Sequence, residues 1–249
     1  MASSELPSRR LAAELREAIN SGALARGMRL PSERTLSDEH GVARNTAREA
    51  IRLLTEEGLV VAIHGKGVFV REKYRLARSP ERLTRAARAA GKGAFLGDAE
   101  VNQFAPAVEV EIRTEAASEE VAAILGVGEG AEVLVRERVM SADGQPIQLA
   151  TSRLPRSLTE GTAIEQPDTG PGGSYARLEE AGHELGHFSE TVGARMPTPD
   201  EASLLQLSAG TPILVVRRIA FDTAGVAVEV NDMRLSGDRY ELAYEFPAD

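Results

Sequence analysis

Two related stretches of twenty residues lie eighty positions apart in this chain. EVAAILGVGEGAEVLVRERV (120–139) aligns with DEASLLQLSAGTPILVVRRI (200–219), identical at Ala122/Ala202, Leu125/Leu205, Gly130/Gly210, Leu134/Leu214, Val135/Val215 and Arg138/Arg218. Each copy opens at a residue suited to cap a helix, Ser118 or Thr198, the second followed by Pro199 at the first helical position. A short helical pattern, a glycine turn and an apolar β-type run ending in arginine come next. Asp143-Gly144 and Ala224-Gly225 then read as hairpin turns into QPIQLATSRLP and VAVEVNDMRLS. Helix, strand, turn, strand, stated twice, predicts an α+β domain with an antiparallel sheet. Two copies at this period make an internal duplication, not a solenoid.

The rest of the chain differs in charge. Residues 1–97 carry 18 Lys+Arg against 11 Asp+Glu, and 98–249 carry 11 against 27, so +7 and -16 sum to the net -9. Such a division points to a basic module that meets a polyanion, joined to an acidic module that does not. With no Cys, disulfides and thiolate sites are excluded, and the lack of Trp argues against an aromatic surface for single strands. The first thirty residues lack an apolar signal core and no run suits a membrane span, so the expectation is a cytoplasmic protein without membrane contact.

In the basic half, Leu11, Leu15 and Ile19 form the stripe of a first helix. Ser32 suits the cap of a second, with Glu33 in its first turn and Gly41 as its stop. In GVARNTAREAIRLL (41–54), Ala47, Ala50, Ile51 and Leu54 share one face and Arg44, Asn45, Arg48 and Arg52 fall on the other. The tight Gly41–Val42 join makes a helix-turn-helix. LVVAIHGKGVFV (59–70) reads as a hairpin turning at His64-Gly65-Lys66-Gly67, which completes a winged helix-turn-helix. The start of the second helix of such a motif enters the DNA major groove, where an arginine grips guanine with two bonds. Arg44, Asn45 and Arg48 lie at that end, while Arg52 is expected on phosphate or on Glu49 or Glu56. Lys66 and the wing glycines would stand beside phosphates or the minor groove.

LPSERTLSDEHGVARNTAREAIRLLTEEGLVVAIHGKGVFV (30–70) resembles the DNA-binding domain of GntR-type bacterial transcription regulators. The resemblance assigns operator contact to Arg34, Arg44, Asn45, Thr46, Arg48, His64, Gly65 and Lys66. Ala43 departs from it, since the family has Ser or Thr there, which removes a hydroxyl able to cap the helix. The acidic half resembles the UTRA ligand-sensing domain of the HutC-type subgroup. The cues are the L-x-V-x-x-G, V-x-R-x-R-V and DG-x-P strand pair, the AR-x-PT-x-x-EA segment (194–202) and GDRY (237–240). That resemblance implies a chorismate-lyase-like fold without lyase activity, dimerisation through this domain, and a small effector that alters operator affinity.

Residues 71–93 are rich in Arg and Ala and poor in apolar anchors, so domains are expected at 1–72 and 94–249 with a linker at 73–93. Ser79-Pro80-Glu81 could open a short helix there, ended by Gly91 and Gly93. Period-two alternation places Arg136 and Arg138 on one otherwise apolar strand face, which calls for an anion from the protein or from a ligand. Arg138 has Arg218 as its repeat counterpart whereas Arg136 faces Val216, so Arg136 is the better effector candidate. Ser174-Tyr175 follows TGPGG and opens a helix, where Ser174 is either a plain N-cap or part of an anion site. Glu229 and Asn231 could hold ligand hydroxyls. Family members that sense sugar phosphates carry an acid where Gln148 stands, which weighs against an amino-sugar phosphate.

His183-Glu184-Leu185-Gly186-His187 matches the H-E-x-x-H zinc signature, but Gly182 and Gly186 oppose the helix this chemistry needs, and 183–195 reads as extended. No catalytic residue, metal ligand or cofactor is assigned. The expectation is a homodimeric, sequence-specific regulator, a repressor, that binds a double-stranded operator and an anionic effector. Its rivals are an effector-independent DNA-binding control protein and a metallohydrolase built on HELGH.

Overall fold

The computed structural model describes residues 6–63, 65–71 and 76–245. The chain divides into two compact units, 1–74 and 75–249, apart from a short loop at 207–211.

The first unit runs α1 (Pro7–Asn20), α2 (Glu33–His40), α3 (Arg44–Glu56), β1 (Val60–Ile63) and β2 (Gly67–Val70). Leu11 and Leu15 of α1, Leu36 of α2 and Ala47, Ala50 and Leu54 of α3 close one core with Leu30, Val60 and Val70. Leu36 and Leu54 are sealed from water, and each such burial stabilises by about 1.5–3 kcal/mol. The alanines let α3 sit close to its neighbours. Ser32 caps α2, its Oγ accepting from the Thr35 amide at 3.1 Å, and Gly41 ends it at φ 62°. Ala43 caps α3 with no side-chain bond, as its missing hydroxyl requires. The segment before α2 is not slack loop. Leu30 N donates to Val68 O at 2.8 Å, and Val70 N to Met28 O at 2.8 Å, so 28–30 backs the β1–β2 wing as a further extended segment. His64, assigned to the wing tip, lies outside the described residues.

The second unit contains β3 (Leu76–Arg78), a 3-10 turn at Pro80–Leu83, α4 (Arg85–Ala89), α5 (Ala94–Asn102), β4 (Pro106–Ala116), α6 (Glu119–Leu125), β5 (Glu132–Ala142), β6 (Gln145–Pro155), α7 (Arg156–Thr159), a 3-10 turn at Ala163–Glu165, α8 (Gly173–Glu180), β7 (Leu185–Arg195), α9 (Pro199–Leu204), β8 (Ile213–Asp222), β9 (Ala227–Ser236) and β10 (Tyr240–Leu242). Its main sheet has the order β4-β5-β6-β9-β8-β7, with every neighbouring pair antiparallel. The repeat is therefore larger than its twenty residues. Strand–helix–strand–strand, β4-α6-β5-β6, recurs as β7-α9-β8-β9, and the halves meet where β6 pairs β9. Thr198 forms a reciprocal capping box with Glu201, and Ser118 caps α6.

Helix α6 covers one face of the sheet, packing Val121, Ala122 and Leu125 on Val133, Val135 and Val230. The other face carries two apolar clusters. One gathers Phe95 and Ala99 of α5 with Met140, Ala150, Val216 and Met233. The other gathers Leu178 of α8 with Leu134, Leu154, Ala220 and Val228.

The expected linker is corrected. The described residues from 76 onward, 207–211 apart, belong to the second unit, and β3 pairs in parallel with β10. Leu76 and Leu83 are buried. Much of the anchoring, though, comes from arginines held by carboxylates distant in sequence. Arg78 pairs with Glu190, Arg82 with Asp98 and Arg88 with Glu179. A search for apolar anchors passes over such a segment. Gly93 is also not a helix stop, since it caps the start of α5.

Candidate functional site

Two sets of residues carry the chemistry, one in each unit. In the first unit, Arg44 is the first residue of α3, and Arg44, Asn45 and Arg48 are exposed while Thr46 is half-buried. Arg34, exposed in the first turn of α2, lies 3.8 Å from Asp38. Gly65, at φ 72°, and Lys66 are exposed at the wing turn. Arg52 pairs with Glu49 and Glu56 on its own helix. Arg48, by contrast, makes two bonds to Glu33 of α2, from Nε at 3.0 Å and Nη2 at 2.9 Å. The hydrogen bond from Arg48 holds the Glu33 carboxyl below its ordinary range, against an upward pull from desolvation, and the charges of Arg48 and Arg44 add to the lowering. The starts of α2 and α3 thus come together.

In the second unit, a cavity of about 460 Å³ opens on the sheet face between the α5 and α8 clusters. It brings together all seven residues singled out from the sequence: Arg136, Arg138, Gln148, Ser174, Tyr175, Glu229 and Asn231. Strand alternation on β5, β6 and β9 turns Arg136, Arg138, Gln148, Glu229 and Asn231 to one face, and α8 brings Ser174 and Tyr175 over it. Arg136 is 3% exposed. Its Nη atoms donate to three backbone carbonyls, those of Ile164, Gln166 at 2.6 Å and Pro167 at 3.0 Å. It therefore clamps the loop that leads to Gly170, Gly172 and Gly173. Burial first, and then repulsion from Arg138, push its pKa down to about 10, with Glu229 opposing. Arg138 donates to Ser152 Oγ, and burial pushes its pKa down as well.

Tyr175 donates to Glu229 at 2.5 Å. Burial and the Glu229 charge raise its phenol above the ordinary range. Four buried polar atoms on these residues have no hydrogen-bond partner among the described residues: Arg136 Nε, Arg138 Nε, Gln148 Oε1 and Asn231 Oδ1. Two are donors and two are acceptors.

One expectation about this loop is corrected. Ser174 does not cap α8, because Gly172 does, in the left-handed conformation at φ 80°. A Cβ at Gly172 would lie 2.6 Å from Ala176 Cβ and 3.2 Å from Arg88 O. Gly172→Ala is expected to cost about 1–3 kcal/mol, measured as the change in the denaturant midpoint of the second unit.

Sequence reasoning missed Arg82, Gly93–Leu96, Val108, Val110 and Met233, which also line the cavity. Arg218, named from the sequence only as the repeat counterpart of Arg138, lines the cavity too. The pattern HELGH forms no helix. His183 Nδ1 lies 3.3 Å from Asp222 Oδ2, and the His187 ring stacks on Phe221 with centroids 4.5 Å apart. Among the described residues no group of three or more His, Asp or Glu side chains could hold a metal ion. Nor, among them, is any helix long and apolar enough to cross a membrane.

Residues 7–70 match the gntR family of bacterial regulatory proteins, and 106–241 match the UTRA domain. An HTH-type transcriptional regulator of Streptomyces coelicolor is 33% identical over 246 residues, covering 96% of this chain and 91% of its own. The HTH-type transcriptional repressor PhnF of Mycolicibacterium smegmatis is 31% identical over 217 residues, covering 86% of this chain and 84% of its own. NagR, an HTH-type transcriptional repressor of Bacillus subtilis, is 27% identical over 234 residues, covering 93% and 90%. The crystal structure of PhnF from Mycobacterium smegmatis is similar with a TM-score of 0.62 and 27% identity, over 96% of this chain and 100% of that one.

Proposed function

Because the chain belongs to the GntR family of DNA-binding transcription regulators and carries a UTRA domain for a small-molecule effector, we propose that it is a homodimeric repressor acting in the cytoplasm, released from or locked onto its operator by an anionic metabolite. The repressors PhnF and NagR, similar over most of their length, support the direction of control. A twofold dimer suits a palindromic operator, one head per half-site. In each head Arg34, Arg44, Asn45, Thr46 and Arg48 would contact the operator, with Gly65 and Lys66 of the wing beside phosphates or the minor groove; the same operator contact is proposed for His64 from the resemblance alone.

The observation that carries the effector reading is the set of partnerless atoms in the cavity. Two arginine Nε–H groups there have no carboxylate, and their positive charge favours an anionic group. Gln148 Oε1 and Asn231 Oδ1 require donors, so the ligand carries hydroxyl or amino hydrogens beside its anionic end. Gln148 in place of an acid favours hydroxyls over an ammonium group.

The test is thermal unfolding of the parent against phosphate, sulfate and a panel of small phosphorylated and carboxylated metabolites. At a hundredfold excess over Kd, a specific ligand stabilises by about 2.7 kcal/mol, which raises Tm by roughly 5–10 °C. Arg138→Gln is expected to abolish most of that rise. Without ligand the variant's stability should lie within about 1–2 kcal/mol of the parent's, because relief of the desolvated charge offsets the lost Ser152 bond and the lost attraction of Glu229. A flat response of the parent across the panel, with operator binding intact, would leave the effector-independent regulator as the better reading.

A further inference from the structure

The ion pair between Glu33 and Arg48 joins two helices through residues fifteen apart, unlike the Arg52 pairs within α3. Glu33 begins α2 directly after its cap, where the Ser32–Thr35 bond fixes the backbone. Its carboxylate takes Nε and Nη2 of Arg48, so one edge of the guanidinium is occupied. The remaining Nη1–Nη2 edge is itself a two-donor fork, the shape that matches guanine O6 and N7. Arg48 stays 64% exposed, so that fork remains open to a partner.

We propose that Glu33 is a positioning residue for sequence readout: it holds Arg48 by one edge so that the other meets a guanine, and it keeps the same arginine off backbone phosphates. This rests on the DNA-facing role given to Arg48 above. Two effects act on discrimination in the same sense. The side chain is ordered before DNA arrives, which favours the one geometry that reads a base. The nearby carboxylate also weakens attraction to any phosphate, which lowers binding to unselected duplex. Folding alone gives a poor reason for the pair, because exposed ion pairs contribute little to stability.

The experiment uses the full chain and a duplex selected from a random pool by the parent protein. Affinity for that duplex and for an unselected one is measured over a range of salt for the parent, Glu33→Gln, Glu33→Asp, Arg48→Ala and Glu33→Gln/Arg48→Ala. Both Glu33 variants are expected to lower the ratio of selected to unselected affinity by about tenfold, within the range a bidentate base contact supplies. Glu33→Gln should bind unselected duplex more tightly, with a salt slope steeper by about one. Glu33→Asp keeps an acid at the start of α2 but falls one methylene short of Arg48, so it separates positioning from a simple helix-dipole role. In the Arg48→Ala background, Glu33→Gln should change nothing.

A ratio within twofold of the parent for both Glu33 variants overturns the proposal, as does an effect of Glu33→Gln that persists without Arg48. If Arg48→Ala itself leaves the ratio unchanged, the DNA-facing role of Arg48 fails as well. That outcome is distinct from a failure confined to Glu33.

Discussion

Arg44→Ala is expected to weaken binding to the selected duplex by roughly 10- to 100-fold, equivalent to the loss of one bidentate base contact, and to change binding to unselected duplex only a few-fold. Arg44 opens α3, the position from which a recognition helix reaches base edges. It is exposed, and among the described residues no carboxylate binds it. Its loss therefore orphans no partner among the described residues, and the folded unit should melt as before. Gel-shift or fluorescence titration at two salt concentrations separates the possibilities. An arginine that reads a base changes the affinity ratio. One that only meets a phosphate lowers both affinities together and flattens the salt slope by about one. Equal loss on both duplexes would remove Arg44 from the readout set.

The second large effect is on stability. Glu190, on β7, accepts from Arg218 Nε at 2.8 Å and Nη2 at 2.6 Å, from Arg78 Nη2 at 3.0 Å and from the Tyr244 hydroxyl at 3.0 Å. Arg78 and Arg218 are each 2% exposed. Glu190→Gln leaves two buried guanidiniums without their shared carboxylate, which is expected to destabilise the second unit by about 3–5 kcal/mol.

The same group sets an acid limb. Burial draws its pKa upward, but the Arg218 and Arg78 charges outweigh that and hold it at about 2, below the ordinary 4.5. A carboxyl depressed on folding contributes its full stabilisation above its unfolded value and loses it as pH falls through the folded one. Between about pH 4.5 and 2 the parent should therefore lose on the order of 3 kcal/mol through this residue, and the Gln variant should show a flatter limb. Denaturant unfolding at several pH values measures both. A variant loss below about 1 kcal/mol would mean that water screens the cluster as it does a surface pair.

Much of this molecule was legible because its periodicities are local. The face carrying Ala47, Ala50 and Leu54, the cap at Ser32 and the stop at Gly41 follow from spacing and backbone chemistry within a few residues. Alternation along 134–140 placed Arg136 and Arg138 on one face, and the cavity lies there. What escaped notice depends on partners distant in sequence. Arg78, Arg82 and Arg88 resemble solvated linker charges until Glu190, Asp98 and Glu179 are brought to them by the fold. Strand β4 escaped because its outward residues are polar and it has a neighbour on one side only. The expectation that Gly93 stops a helix, and that Ser174 caps one, fails for a similar reason. Gly93 and Gly172 begin helices, and only the surrounding chain shows which side of a glycine a helix lies on.

The mirrored order of the six-stranded sheet has a mechanical consequence. Arg136 and Arg138 come from the first half of the duplication, while Arg218, Glu229 and Asn231 come from the second. A molecule lodged among them would touch both halves of the sheet, which are joined at the β6–β9 ladder. Bound there, it would tie the two halves together across that ladder and oppose any tilt of one against the other.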